Sequence, residues 1–277
     1  MNHLMRELAP VSDAAWAQIM DEAKKSLSVH LAARRVVDFA GPRGWRKSAV
    51  KLGRVAPSPP VNGVETGVRQ VQPLVELRVP FNLGRRELET IGRGAHAADL
   101  TPVTEASRKI ALAEDCAVFR GYQAGGIEGI FTACHAQAVE LSEDYEQYPH
   151  SVAQALYKLR TATVAGPYAL ALGPRCFAGL TQTLSKGGYP LIELVRRQLD
   201  GGPIIWAPMV DGALVVSLRG GDFLLTVGQD YAIGYLSHSE NDVTLYIQES
   251  FTFVVYTQEA AVPLLYNSPG GGAPKGK

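Results

Sequence analysis

Residues 45–73 constrain the rest of the chain more than any other stretch. Gly53, Pro57, Pro59, Pro60, Gly63 and Gly67 punctuate a segment with few large apolar side chains, so it closes no core of its own. Val61, Val64 and Val68 are enough to pair it as a thin ribbon. A long extended excursion within a compact chain is uncommon and usually functional. Laying it on a neighbouring copy would satisfy it, which would make the chain one piece of a larger assembly.

The rest of the composition suits that role. The chain has 277 residues, 46% hydrophobic and 19% charged, enough for one large domain or two modest ones with a true core. Lys+Arg and Asp+Glu balance at 27 each, so no basic excess points to nucleic acid. Near-zero net charge is poor for a free monomer's solubility. It matters less for a subunit that buries much of its surface. No apolar run approaches the roughly 20 residues that cross a bilayer. The opening MNHLMRELAPVSDAAW carries acidic and polar residues where a secretory signal is apolar. The expectation is a cytoplasmic protein without membrane contact. Cys116, Cys134 and Cys176 are odd in number and widely spaced, which reads as thiols in a reducing compartment.

Along the chain, residues 12–33 read as an amphipathic helix capped by Ser12, with Trp16, Ile19, Met20, Ala23, Leu27 and Leu31 on one face. Alternation from Leu74 to Leu83 predicts a strand. Thr101-Pro102 opens a helix, with Thr101 as N-cap, that Gly121 stops. Between 134 and 217 helix and strand alternate. Ser151 is expected to cap a helix, Tyr168–Leu172 to form a strand, and Pro174 and Pro190 to start two further helices. Ser185, Lys186, Gly187, Gly188 and Tyr189 read as a flexible loop between those two. The last third is β-rich, with strands expected at 213–218, 223–227, 243–249 and 251–256. The tail at 267–277 is expected to be disordered.

Chemistry is harder to find. The histidines are scattered without H-x-x-x-H or H-E-x-x-H spacing, and zinc needs three or four converging ligands. There is no G-x-S-x-G elbow. Gly271–Lys277 mimics a phosphate-binding loop but lacks its Ser/Thr. The acidic group Glu140, Glu143, Asp144 and Glu146 reads as a solvated surface. No metal, cofactor or catalytic set is expected.

A series of fragments in fixed order adds a resemblance. It runs from LMRELAPVSDAAWAQIMDEAKKSL at the start through R-R-V-V-D-x-x-x-P at Arg34–Pro42 and P-L-V-E-L-R-V-P-F at Pro73–Phe81. E-D-x-x-x-F-x-G-Y-x-x-x-x-I-E-G follows at Glu114–Gly129, then Gly166-Pro167-Tyr168, Ile204–Pro208, Arg219–Phe223, Gly228–Asp230, Ala232–Tyr235 and Gln248–Phe253. Together they resemble the encapsulin shell proteins over most of the chain.

That resemblance implies an α+β chain with the fold of a tailed-phage major capsid protein. Its parts would be an N-terminal inner helix and arm (1–44), an extended loop (45–73), a peripheral domain (74–133 and 218–266) and an axial domain (134–217). It implies a structural subunit of an icosahedral cage, not an enzyme. The cage would enclose a dye-decolorising peroxidase or a ferritin-like iron oxidase bearing a C-terminal targeting peptide. The peptide would lie against Leu27, His30, Leu31, Arg34, Asp38, Ile233 and Tyr235, and Ser185–Tyr189 would line a fivefold opening. Some members hold a flavin against a Trp after the Pro73–Phe81 strand. Here that place reads Gly84-Arg85-Arg86, so flavin binding is not carried over. A phage head protein and a soluble oligomeric enzyme remain as rival readings. On the bare spacing, Arg34 and Asp38 could instead form an ion pair within a helix.

Overall fold

The computed structural model describes residues 3–95 and 97–266, so the tail expected to be disordered lies outside the described residues. In chain order the helices are α1 (Asp13–His30), α2 (Arg85–Gly92), α3 (Thr101–Phe119), α4 (Ile130–Ala133), α5 (Tyr148–Thr161), α6 (Pro174–Gln182) and α7 (Leu191–Arg196). The strands are β1 (Asp38–Ala40), β2 (Ala49–Val61), β3 (Val64–Pro73), β4 (Val75–Gly84), β5 (Gly121–Tyr122), β6 (Ile127–Glu128) and β7 (Val139–Leu141). Then come β8 (Tyr168–Leu172), β9 (Ile204–Trp206), β10 (Ala213–Ser217), β11 (Phe223–Val227), β12 (Ala232–His238), β13 (Asp242–Val255) and β14 (Ala261–Tyr266). Among the described residues no helix is long and apolar enough to cross a membrane.

The chain divides into two compact units. The first gathers residues 1–34, 38–129 and 223–254. Its sheet runs β1-β11-β13-β12, with β4 also paired to β13 from Asp242↔Gly84 to Phe251↔Val75. Against this sheet α1, α2 and α3 contribute Ala15, Ile19, Ala23, Leu88, Ile91, Val103, Ala106 and Ile110 to one buried core. The sheet supplies Phe81, Leu83, Ile233, Val243, Leu245 and Ile247. Each of the Val, Leu, Ile and Phe side chains contributes about 1.5–3 kcal/mol by leaving water. The ribbon of β2 and β3 also belongs to this unit, pairing Ala49↔Pro73 out to Val61↔Val64. Its tip is Asn62-Gly63, both at positive φ (51° and 79°), the backbone a two-residue hairpin turn of matching twist requires.

The second unit holds residues 35–37, 130–222 and 255 onward. Its sheet runs β7-β14-β10-β8-β9. Every residue of β8 and β10 is buried, which explains the unbroken apolar runs Tyr168–Leu172 and Ala213–Val216.

Several sequence expectations need correction. The first helix stops at His30; Ala33–Arg35 forms a 3₁₀ turn and Asp38 opens β1, so the helical Arg34–Asp38 pair does not exist. Ser12 is the N-cap, its Oγ accepting from the Ala15 N–H at 3.3 Å. Thr101 is not a cap: it is the first residue of α3, after Leu100, and its N–H donates to Asp99 Oδ1 at 3.0 Å. Ser151 lies inside α5, which starts at Tyr148, and its hydroxyl donates to the Glu140 carbonyl at 3.2 Å. Pro190 is the N-cap of α7 and not its first residue. The strands expected at 243–249 and 251–256 are one strand, β13, continuous because β4 pairs with it across the supposed break. β12 and β14 were not expected as strands. β14 also moves a boundary: it pairs with β10 and β7, so residues 255–266 join the second unit instead of the domain of 218–266.

Candidate functional site

The first unit carries an apolar groove of about 510 Å³ along α1. Met20, Ala23, Leu27 and Leu31 recur at three- and four-residue steps, so one side of the helix and its C-cap form one wall. Ile233 of β12 and Ile247 of β13 form the other, while Asp21, Lys24 and Ser28 stand at the rim. Arg34, Asp230 and Tyr231 complete the lining. Of the residues read from sequence, Leu27, Leu31, Arg34 and Ile233 meet here. His30 does not: its Nδ1 is bound to the Ser26 carbonyl of its own helix at 2.8 Å. Tyr235 packs beside the core, its hydroxyl on His238 Nδ1 at 2.5 Å, and Asp38 sits in β1. Sequence reasoning missed Asp230 and Tyr231 although Gly228–Asp230 was among the recognised fragments. Nothing in its spacing says that it faces α1.

Arg34 is not a free recognition group. Its Nε donates to both oxygens of Glu114 (2.9 and 3.0 Å) and Nη1 to Asp230 Oδ1 (2.9 Å). Nη2 donates to Glu114 Oε2 at 2.6 Å and also to Glu249 Oε1. The side chains of Glu114 and Glu249 are fully buried. The Arg34 guanidinium also sits 4.7 Å from the Tyr231 ring and 5.0 Å from the Phe39 ring, and the Tyr231 hydroxyl donates to Glu114. The surrounding carboxylates hold Arg34 firmly charged. Burial, with the Glu114 charge beside it, pushes the Glu249 carboxyl well above its ordinary value.

Asp115 positions this cluster. Its carboxylate accepts from the backbone N–H groups of Ala32 (2.9 Å) and Ala33 (3.0 Å), tying the chain after α1 to α3 and delivering Arg34 to Glu114. Burial raises its pKa to about 7 against the downward pull of those two donors. The fragments Arg34–Pro42, Glu114–Gly129, Gly228–Asp230 and Gln248–Phe253 are far apart in sequence, yet they converge on this one buried network.

In the second unit, the expected loop Ser185–Tyr189 closes on itself as a hydrogen-bonded turn. The Gly188 N–H donates to the Ser185 carbonyl and the Ser185 N–H to the Tyr189 carbonyl, both at 2.8 Å, with Leu184 bridged to Pro190. Lys186 projects from it, its side chain 90% exposed and its Nζ 3.8 Å from Glu146. Among the described residues no group of three or more His, Cys, Asp or Glu converges as a metal site.

Known proteins share this sequence pattern and this fold. The family model described as an encapsulating protein for peroxidase matches residues 1–252. A type 1 encapsulin shell protein of Rhodospirillum rubrum is 54% identical over 271 residues, covering 95% of this chain and 96% of that protein. Among solved structures, the virus-like particle of Pyrococcus furiosus superposes with a TM-score of 0.62 at 18% identity, over 90% of this chain and 98% of that one. The capsid of Myoviridae phage XM1 superposes with a TM-score of 0.53 at 9% identity, over 83% and 89%. The fold is therefore that of the tailed-phage capsid proteins. The chain belongs to the encapsulin shell family, whose members are structural and not catalytic.

Proposed function

We propose that this shell protein closes into an icosahedral cage in the cytoplasm and retains cargo enzymes through a C-terminal targeting peptide seated in the groove beside α1. The single observation that carries the docking part is the groove itself: an apolar trough over a floor whose cation, Arg34, is already ion-paired. Such a trough suits a short peptide with Leu or Ile anchors. Each buried anchor contributes about 1.5–3 kcal/mol before ordering costs, so one peptide binds weakly and linked cargo oligomers are held by avidity.

Two further parts of the reading follow the family resemblance. The β2–β3 ribbon lies on a neighbouring subunit, where its exposed valines find the burial they lack here. The second unit is the axial domain, with Ser185–Tyr189 around the fivefold opening and Lys186 adding positive charge. The family's description favours a peroxidase as cargo. A ferritin-like iron oxidase remains the second candidate from the resemblance.

Expressed alone, the chain should elute at megadalton scale and show closed hollow particles by electron microscopy. Co-expression with green fluorescent protein carrying a library of random ten-residue C-terminal tails should enrich Leu/Ile-anchored tails in the purified shells. Leu31→Asp shells should close and take up none of them; full loading would place docking elsewhere. Arg34→Ala is no test of docking, because it strands Glu114 and Glu249 without their cation.

A further inference from the structure

Resting on the groove as the docking site, we infer that Arg6 is the receptor for a carboxylate of the docked peptide, either its terminal carboxylate or an acidic side chain near its end. Arg6 opens a short 3₁₀ turn (Arg6–Leu8) before α1. Its Nε donates to the Ile233 carbonyl at 2.6 Å, a terminal nitrogen reaches Met20 Sδ at 3.4 Å, and its guanidinium lies 5.1 Å from the Trp16 ring. Met20 and Ile233 both line the groove, so the guanidinium stands at its edge.

Arg6 differs from Arg34 in one decisive respect. It is half-buried, and burial disfavours its charge, yet among the described residues no carboxylate pairs with it. Arg34 has three carboxylate partners. Neither rim carboxylate is spare for Arg6: Asp21 pairs with Lys25 at 2.7 Å and Asp230 with Arg34. Lys24, on the same rim, is exposed and has no ion pair among the described residues. The groove edge therefore carries uncompensated positive charge beside an apolar trough. A guanidinium has five N–H groups, and the carbonyl and thioether leave others over for a forked contact. The partner that fits both surfaces is an apolar peptide with an anionic end. The position is fixed as well, because the Tyr235 N–H donates to the Leu4 carbonyl at 2.9 Å and holds this segment along β12.

The test uses whole shells and green fluorescent protein bearing the most enriched library tail. Three versions of the tail are loaded: unchanged, extended by Gly-Ser-Gly-Ser, and with its acidic residues changed to amides. In unaltered shells one of the two changes should cut loading about tenfold, the worth of a charged hydrogen bond. Loss on extension assigns the terminal carboxylate; loss on amidation assigns a side chain. In Arg6→Gln shells the same change should have no further effect, and Arg6→Lys shells should fall between. If Arg6→Gln shells do not close, the partial response of Arg6→Lys carries the test. Loading indifferent to both tail changes, or a drop that persists undiminished in Arg6→Gln shells, overturns the assignment. Closed shells that enrich no tail at all sink the docking site itself, and Arg6's role with it.

Discussion

β13 and the β2–β3 ribbon both carry β-branched residues and meet opposite fates. Both are rich in β-branched side chains and both run long, Asp242–Val255 against Ala49–Val61 with Val64–Pro73. In β13, Val243, Leu245, Ile247, Phe251 and Phe253 are essentially out of water. In the ribbon, Val55, Val61, Val64, Val68 and Val71 remain 51–63% exposed. The difference lies in neighbours as well as in Gly and Pro content: β13 pairs on both flanks and packs on helices, while among the described residues β2 and β3 pair in a sheet only with each other. An isolated two-stranded hairpin is marginal in water. The ribbon is thus an element whose stabilisation has to come from outside its own fold, whereas β13 anchors a unit that is complete.

Deleting Gly53–Gly67 should break that contrast most visibly. Closed shells should vanish in favour of small species while circular dichroism keeps a cooperative melt. Intact cages, or loss of the melt, would each erase the distinction between the two regions.

Next in size is Arg34→Ala, on the β13 side. Removing the cation from two fully buried carboxylates should cost about 3–5 kcal/mol in denaturant titration. Arg34→Met combined with Glu249→Gln should recover part of the loss seen for Arg34→Met alone, since one stranded acid is gone. In the ribbon, Val64→Ser with Val68→Ser should change the melt of unassembled protein by less than about 0.5 kcal/mol. Only assembly should weaken. A large change in the melt would mean that the ribbon is already packed.

A pH series sharpens the comparison further. The folded pKa of Asp115, about 7, lies above its unfolded value, so the folded state holds the extra proton between those values. Its contribution is full below the unfolded pKa and is lost as pH rises towards 7; Glu249 is raised in the same direction. Thermal melts should show this acid-favoured component at pH 5 relative to pH 7.5, and Asp115→Asn should flatten it. An unchanged profile in the variant would remove Asp115 from the account.

The smallest effect on stability belongs to Lys186→Glu. Its side chain is 90% exposed, so melts should not move, while cation and anion entry into loaded shells should shift in opposite senses. Entry unchanged for both ions would place the opening elsewhere.

Local chemistry was enough to read much of this from sequence. The α1 stripe, the Ser12 cap, the alternation in β4 and the buried runs of β8 and β10 each depend on residues within a turn or two of one another. One local signal went unread: Asn62-Gly63, flanked by paired valines, marks the hairpin tip that organises the ribbon.

The amino-acid sequence by itself determined that residues 45–73 could not close a core, that α1 had an apolar face, and, through the order of its fragments, the family. Only the tertiary structure decided what those fragments do together. On spacing alone Arg34 could pair with Asp38 along one helix, because spacing reports neighbours along one element. Its real partners, Glu114, Asp230 and Glu249, lie 80, 196 and 215 residues away and are supplied by α3, the loop before β12, and β13. A buried charge is set by whichever carboxylates share its low-dielectric site, and that is a property of packing at long range, which no local period encodes.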